Sequence, residues 1–297
     1  MQAFGKDSAV GFIGLGVMGK GMAQCLLRAG HVLHVHARRD DAAQPLVQAG
    51  ARRAGSAGDL GRDCKLVFLC LSDDAAVEEV LFGPSGLAQG LAAGSCVVDT
   101  STIAATSARS FAQRLAAQGV VLLDAPVSGG QQGAEAGTLA CMIGGPADAV
   151  QACRETMGAF CKTITHVGDV GAGQTVKSCN QIAVAGAMLG VADAIALARS
   201  QGVDPAVMRD VLLGGTARSF VLEKHGPRII EGEFKPGFRA RLMRKDLRIA
   251  LATARAGGAA LQGAPVAEQL VSELCDAGRA EWDWAAVGLL VQEKGGR

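Results

Sequence analysis

The sequence predicts an α/β fold in which a doubly wound, mainly parallel sheet is followed by an all-helical second part. Three observations lead there. Over the first half, short β-branched runs alternate with stretches of helical pattern, the rhythm of parallel strands joined by right-handed crossovers. A glycine-rich turn separates the first strand from the first helix. After about His166 the alternation stops, and apolar residues recur at helical spacing.

In chain order, Val10 to Gly14 reads as a strand and Val17 to Ala29 as a helix. Val32 to His36 is a second strand, followed by Lys65 to Leu71, Cys96 to Asp99, Val120 to Ala125 and Leu139 to Ile143. Between them, Asp73 to Leu81 and Ala104 to Ala117 suit helices. In the second half, Gly202, Asp204-Pro205 and Gly214-Gly215 read as helix ends, and Phe234 to Phe238 as a turn between helices. Gly171 to Ser200 reads as one helix of about 30 residues, roughly 45 Å long. Its abundance of Ala and Gly suggests close packing against other helices. The division is expected near residue 166, giving parts 1–166 and 167–297.

Composition narrows the function. The 297 residues allow roughly two domains, and 49% hydrophobic residues supply a core. Lys plus Arg number 29 against 28 Asp plus Glu, a net +1, so neither nucleic acid nor an acidic membrane is an expected partner. The most apolar stretch, Ile182 to Ala198, is short for a membrane span, contains Asp193 and is mostly Ala and Gly. It is expected to be a close-packed helix of a soluble protein. The N-terminus lacks the apolar run of a secretory signal. Nine scattered cysteines, none in a C-x-x-C pair, read as buried small hydrophobes in a reducing cytosol, with no metal site expected. A cytoplasmic location follows. Tyrosine is absent, which excludes every mechanism that needs a phenol as proton donor.

Gly14-Leu15-Gly16-Val17-Met18-Gly19 is G-x-G-x-x-G, placed after a strand and opening a helix. The first glycine allows the tight turn and the second lets the backbone approach a pyrophosphate. The third lets helix and strand pack closely, and the helix N-terminus faces the phosphate charge. Strand, helix and second strand fall where a Rossmann unit needs them, so residues 1–166 read as a dinucleotide-binding domain. At the end of the second strand, where an NAD enzyme usually places Asp or Glu, the chain reads His36-Ala37-Arg38-Arg39. Two guanidinium groups suit a 2′-phosphate, which favours NADP(H) without excluding NAD.

A nicotinamide enzyme also needs a group to handle the proton of the alcohol or carbonyl. His166 and His225 have no motif around them. Lys177 and Asn180 lie three apart on the Ala-rich helix, a spacing that places both on one face. By itself the pair is only suggestive.

Five segments together make the resemblance specific. They are GFIGLGVMGKGMA at Gly11 to Ala23, DTSTI at Asp99 to Ile103, DAPVSGG at Asp124 to Gly130, GAGQTVKSCNQ at Gly171 to Gln181 and KDLRIAL at Lys245 to Leu251. In these the chain resembles the β-hydroxyacid dehydrogenases, the family of 3-hydroxyisobutyrate dehydrogenase and tartronate semialdehyde reductase. The resemblance implies that Lys177 is the general acid/base and that Asn180 positions the substrate. Ser128, Gly129 and Gly130 would hold the substrate carboxylate, Thr102 would sit beside nicotinamide and substrate, and Lys245 would lie near the cofactor. It further implies a small carboxylate substrate, a substrate and dimerisation role for residues 167–297, and a homodimer or homotetramer. Arg239, Arg241, Arg244 and Arg248 around Lys245 are expected to form a solvated helix face. Three alternatives stand beside this reading: imine reductases, which usually lack the lysine; decarboxylating 6-phosphogluconate dehydrogenase, which has a much longer chain and a substrate-phosphate site not found here; and non-catalytic NADP-binding regulatory proteins, which replace the lysine. Lys177 argues against the first and the last.

Overall fold

A computed structural model describes residues 1, 4–5 and 8–295 of the chain. Two compact units emerge, residues 1–177 and 178–297, so the division falls inside the long helix.

The first unit follows the predicted alternation: β1 (Val10–Ile13), α1 (Val17–Arg28), β2 (Leu33–His36), α2 (Asp40–Gln48), β3 (Arg52–Arg53), α3 (Ala57–Asp63), β4 (Leu66–Leu69), α4 (Asp74–Phe82), β5 (Cys96–Asp99), α5 (Ala105–Ala116) and β6 (Val121–Asp124). Then come β7 (Val127–Ser128), α6 (Gly130–Ala136), β8 (Leu139–Gly144), α7 (Ala147–Met157) and β9 (Cys161–Gly168). The strand order is β3-β2-β1-β4-β5-β6-β8-β7, with β9 on β8. β1 to β6 are parallel throughout, whereas β8 runs antiparallel to β6 and β7. The chain winds outward from β1 through β2 to β3, then returns to β4 on the other side. The carboxyl ends of β1 and β4 therefore border the switch point, where open α/β sheets bind ligands.

Both faces of this sheet are covered, as parallel strands require. Val10, Phe12, Leu66, Phe68, Cys96 and Val98 face one core, and Ile13, Val67, Leu69 and Val97 face the other. The period-2 division explains why each of these strands is apolar at every core position. Full burial of each such aliphatic or aromatic side chain contributes about 1.5–3 kcal/mol.

Three strands escaped the sequence reading. β3 and β7 have only two residues each, too few for a periodic pattern. β9 carries mostly exposed polar residues, including Lys162, Thr163, Thr165 and His166, and its register to β8 is broken by two irregularities. It earns its place through backbone pairing.

The second unit contains α8 (Ala172–Ser200) beyond its first turns, then α9 (Pro205–Leu213), α10 (Phe220–Lys224), α11 (Gly226–Glu231), α12 (Ala240–Ala256), α13 (Gly263–Leu274) and α14 (Val287–Gly295). Ala185, Met188, Val191 and Ile195 of α8 enter a core with Leu247, Val271, Leu274 and Trp284. Asp283 is the polar staple. Its carboxylate accepts hydrogen bonds from the amides of Gly237, Phe238 and Ala285 and meets Arg228 at 2.7 Å. The turn predicted at Phe234 to Phe238 is thus tied to the helical core.

α8 is long and apolar enough to cross a membrane by length and composition, with 39% of its most apolar window buried. Its spacing of Ala185, Met188 and Ile195 is that of a helix packed in a core. Within this chain Gly186 and Gly190 pack against no other helix: a Cβ on either would meet nothing within 4 Å. Ala185, Ala192 and Ala198 are buried, whereas Ala183, Gly186 and Gly190 are exposed.

Candidate functional site

The glycine-rich turn is built around two glycines that geometry demands and one that it does not. Gly14 has φ +98°, and a Cβ there would stand 2.2 Å from the carbonyl oxygen of Cys70. A Cβ on Gly19 would stand 1.9 Å from the carbonyl oxygen of Gly14. Gly16, at the N-cap of α1, has φ −72°, and a Cβ there would meet nothing. Neither torsion nor packing within the protein asks for glycine at that position, but a pyrophosphate against the backbone does. The first turn of α1 carries no acidic residue and no side-chain cap, so the helix terminus presents amides suited to phosphate. Leu15 is buried, Met18 half-buried and Val17 exposed. The residues fit a dinucleotide.

At the end of β2, Ala37 is buried while Arg38 and Arg39 are exposed. Arg39 lies 3.4 Å from Asp41, and Asp40, the first carboxylate after the strand, is bound by Arg53. That guanidinium holds the Asp40 carboxyl below its usual range. A carboxylate so engaged is a poor acceptor for a ribose hydroxyl.

At the next carboxyl ends, polar side chains brace the loops. After β5, the Thr100 hydroxyl donates to the carbonyl of Leu69 and the Ser101 hydroxyl accepts from the amide of Leu71, tying this loop to the one after β4. Gln174 of α8 grips both sides of Thr102: its amide nitrogen donates to Ser101 O at 2.8 Å, and its oxygen accepts from Ile103 N at 3.2 Å. Asp124, at the end of β6, accepts from the amides of Gly171 and Gln174 at 2.7 and 2.8 Å. Burial pushes the Asp124 carboxyl up, opposed by these amide bonds. Its neighbour across the strands, Asp99, is pushed up to about 6, chiefly by burial.

Lys177 completes this arrangement within the first unit. It is 7% exposed, and its Nζ donates to the carbonyl of Val127 at 3.0 Å. The residues after Val127 are Ser128, Gly129 and Gly130. Positive φ at both glycines, +138° and +64°, turns the backbone from β7 into α6 and leaves both exposed. Thr102, Ser128 to Gly130 and Lys177 thus stand on segments that Asp124, Gln174 and Val127 fix in place.

These features have named counterparts. Residues 9–168 match the model for the NAD binding domain of 6-phosphogluconate dehydrogenase, and residues 171–290 the model for NAD-binding of NADP-dependent 3-hydroxyisobutyrate dehydrogenase. The 2-hydroxy-3-oxopropionate reductase of Escherichia coli K12 is 38% identical, covering 94% of this chain and 95% of its own. The crystal structure of 3-hydroxyisobutyrate dehydrogenase from Salmonella typhimurium has a TM-score of 0.88 at 31% identity, covering 96% of this chain and 100% of that one. The structure of Psf3 in complex with NADP+ and 2-OPP also has a TM-score of 0.88, at 30% identity over 95% and 99% of the two chains.

The chain belongs to the β-hydroxyacid dehydrogenase family. As a β-hydroxyacid dehydrogenase it is an NAD(P)-dependent oxidoreductase with a Rossmann-type domain followed by a helical one.

In the second unit of this dehydrogenase, Asn180 is half-buried on α8, three residues after Lys177, and donates to Gln181. Lys245 lies on α12 with its Nζ 3.1 Å from Asp246. Arg239 and Arg241 meet Glu281, Arg244 meets Asp276, and Arg248 meets Glu268, so this basic run is matched by carboxylates. Of the two unplaced histidines, His166 is held by the carbonyl of Gly145 and His225 lies edge-on to Trp284 beside Asp283. Among the described residues no cluster of His, Cys, Asp and Glu could hold a metal ion. Sequence reasoning missed Asp124, Gln174 and Gln181 as site-builders. The available clue was that each is a polar residue buried within a segment already singled out.

Glycines 16 and 19 separate ligand approach from folding. Gly19→Ala is expected to lower stability by at least about 1–3 kcal/mol, since two backbone segments must move apart. Gly16→Ala, free of clashes but a poorer N-cap, is expected to lower the melting temperature less than Gly19→Ala and to weaken NADPH at least tenfold. Thermal denaturation and fluorescence titration check both, and equal melting temperatures for the two variants would contradict this account.

Proposed function

We propose that the protein interconverts a small β-hydroxy acid and its semialdehyde or keto form, of the 3-hydroxyisobutyrate or tartronate semialdehyde type, with NADP(H) preferred and NAD as the weaker alternative. The observation that carries this reading is the buried Lys177 ammonium hydrogen-bonded at the root of the Ser128-Gly129-Gly130 turn. With no tyrosine in the chain and no motif around His166 or His225, Lys177 is the proton carrier supported by both chemistry and family resemblance.

When bound, the nicotinamide supplies the hydride chemistry. In reduction Lys177 gives a proton to the oxygen of the substrate carbonyl, and in oxidation it takes the hydroxyl proton back. Its bond to Val127 fixes where the ammonium points. The Ser128 hydroxyl and the amides of Gly129 and Gly130 receive the substrate carboxylate, which sets the reacting carbon in place. Thr102, clamped by Gln174, borders nicotinamide and substrate, Asn180 orients the substrate, and Lys245 lies by the cofactor. Gly14 to Gly19, with Leu15, Val17 and Met18 between the glycines, hold the pyrophosphate, while Arg38 and Arg39 take the 2′-phosphate. Residues 1–166 serve as the dinucleotide domain and 167–297 as the substrate and dimerisation domain. The reading places the enzyme in the cytoplasm, without nucleic-acid or membrane partners.

A homodimer or homotetramer fits the second unit. Ala183, Gly186, Gly190 and Leu197 make an exposed stripe of small and apolar residues on α8, and every residue of α9 is left at least partly open. Light scattering at micromolar concentration is expected to give a dimer or tetramer, and a monomer would overturn this assignment.

NADPH is expected to show the higher kcat/KM. Arg38→Ala should weaken NADPH more than tenfold and NADH little, since a charge-assisted bond contributes about 1.5–3 kcal/mol. Wild-type preference for NADH would defeat it. A panel of 3-hydroxyisobutyrate, glycerate, serine and tartronate semialdehyde identifies the substrate. On the best of these, Lys177→Met should lower kcat at least about 10²-fold with NADPH binding unchanged. Near-normal turnover by that variant would refute the lysine mechanism.

A further inference from the structure

We infer that Gln181 is a positioning residue that fixes which face of the Asn180 amide is offered to the substrate, and that Asp246 sets its direction. The inference rests on the reading of Asn180 as a substrate-orienting group. All the contacts lie within the second unit. On α12, Asp246 is 3% exposed; its Oδ1 meets the Lys245 Nζ at 3.1 Å, and its Oδ2 accepts from Gln181 Nε2 at 2.7 Å. On α8, Gln181 is 5% exposed, and its Oε1 accepts from Asn180 Nδ2 at 2.8 Å.

The chemistry of these groups gives the chain a direction. A carboxylate only accepts hydrogen bonds, whereas an amide has one end that donates and one that accepts. Gln181 must therefore turn its NH2 towards Asp246, which leaves its oxygen towards Asn180. Asn180 must in turn give Gln181 its NH2. What remains of Asn180 is the carbonyl oxygen and one N–H, held in a fixed orientation. Reversing Gln181 would set its oxygen against the buried Asp246 carboxylate, and reversing Asn180 would set oxygen against oxygen at their part-buried contact, so the carboxylate at one end selects one of two otherwise similar rotamers at the other. Asn180 then presents an acceptor suited to a substrate hydroxyl. Gln181 touches no substrate in this account and acts only through Asn180.

A double-mutant cycle tests this on whichever compound of the panel turns over fastest. Gln181→Met keeps the side-chain length and removes both hydrogen bonds. It is expected to lower kcat/KM by roughly fivefold to tenfold, through KM and kcat together, with NADPH affinity within twofold of wild type. Asn180→Ala should lower kcat/KM at least as far, and Gln181→Met should add nothing in the Asn180→Ala background. Asp246→Asn keeps the volume but lets the amide at 181 bond either way round. It should give a smaller loss, again absent when Asn180 is alanine, and it decides the matter if Gln181→Met does not fold. Losses that multiply in the double variants would show a merely structural role and overturn the inference, as would unchanged kinetics in both Gln181→Met and Asp246→Asn. A silent Asn180→Ala would instead overturn the reading of Asn180 and the inference with it.

Discussion

The carboxylate of Asp124 is the joint on which the candidate chemistry of the first unit depends. It ends a parallel strand and caps the start of α8 through the amides of Gly171 and Gln174. A helix begins with amides that lack intrahelical acceptors, and a carboxylate satisfies them with charge-assisted bonds. The contact is close: a Cβ on Gly173 would stand 2.6 Å from the Asp124 carbonyl oxygen. Lys177 follows less than two turns later, so its height above β7 is set by this cap. Gln174 lies between the two and reaches the other way, to the loop that holds Thr102. One buried carboxylate thereby coordinates three loops.

This division of labour separates what the residues near the switch point do. Gly14, Gly19, Asp124 and Gln174 make the scaffold close correctly, and each is explained by contacts inside the protein. Gly16 and Arg38 are different. Among the described residues nothing close to Gly16 requires a glycine, and Arg38 is exposed, two residues before a carboxylate already engaged by Arg53. Features that the fold does not need are the ones a ligand explains.

Much of this was legible in the sequence. The strands β1, β4 and β5 and the helices α1 and α8 announce themselves because burial on both faces of a parallel sheet, or on one face of a helix, imposes a period that local sequence displays. The G-x-G-x-x-G turn was legible for the same reason: its torsions and close approaches are local. The bracing was not. The partners of Asp124 and Gln174 lie 47 to 73 residues away, and nothing in a short window tells a buried polar anchor from a solvated one. β3 and β7 were too short to show a period, and β9 is set by backbone pairing that its polar side chains do not reveal. Which face of α8 carries Gly186 and Gly190 was not legible either, because composition gives the content of a helix but not which face carries it.

Asp99 and Asp124 stand side by side in register at the ends of β5 and β6, and burial pushes both carboxyls up. Desolvation of two neighbouring carboxyls is unfavourable unless hydrogen bonds to the charged form offset it. The two residues meet that cost differently. Asp124 gathers two amides from α8, a segment distant in sequence, and so joins elements. Asp99 accepts from the amide of Ser101, two residues on, and so turns its own chain sharply at the strand end. That turn directs the Ser101 hydroxyl to Leu71 and brings the Ser101 carbonyl within reach of Gln174. The polar burial is concentrated at the carboxyl edge of the sheet because an apolar side chain there could terminate a strand but could not aim the loop that follows.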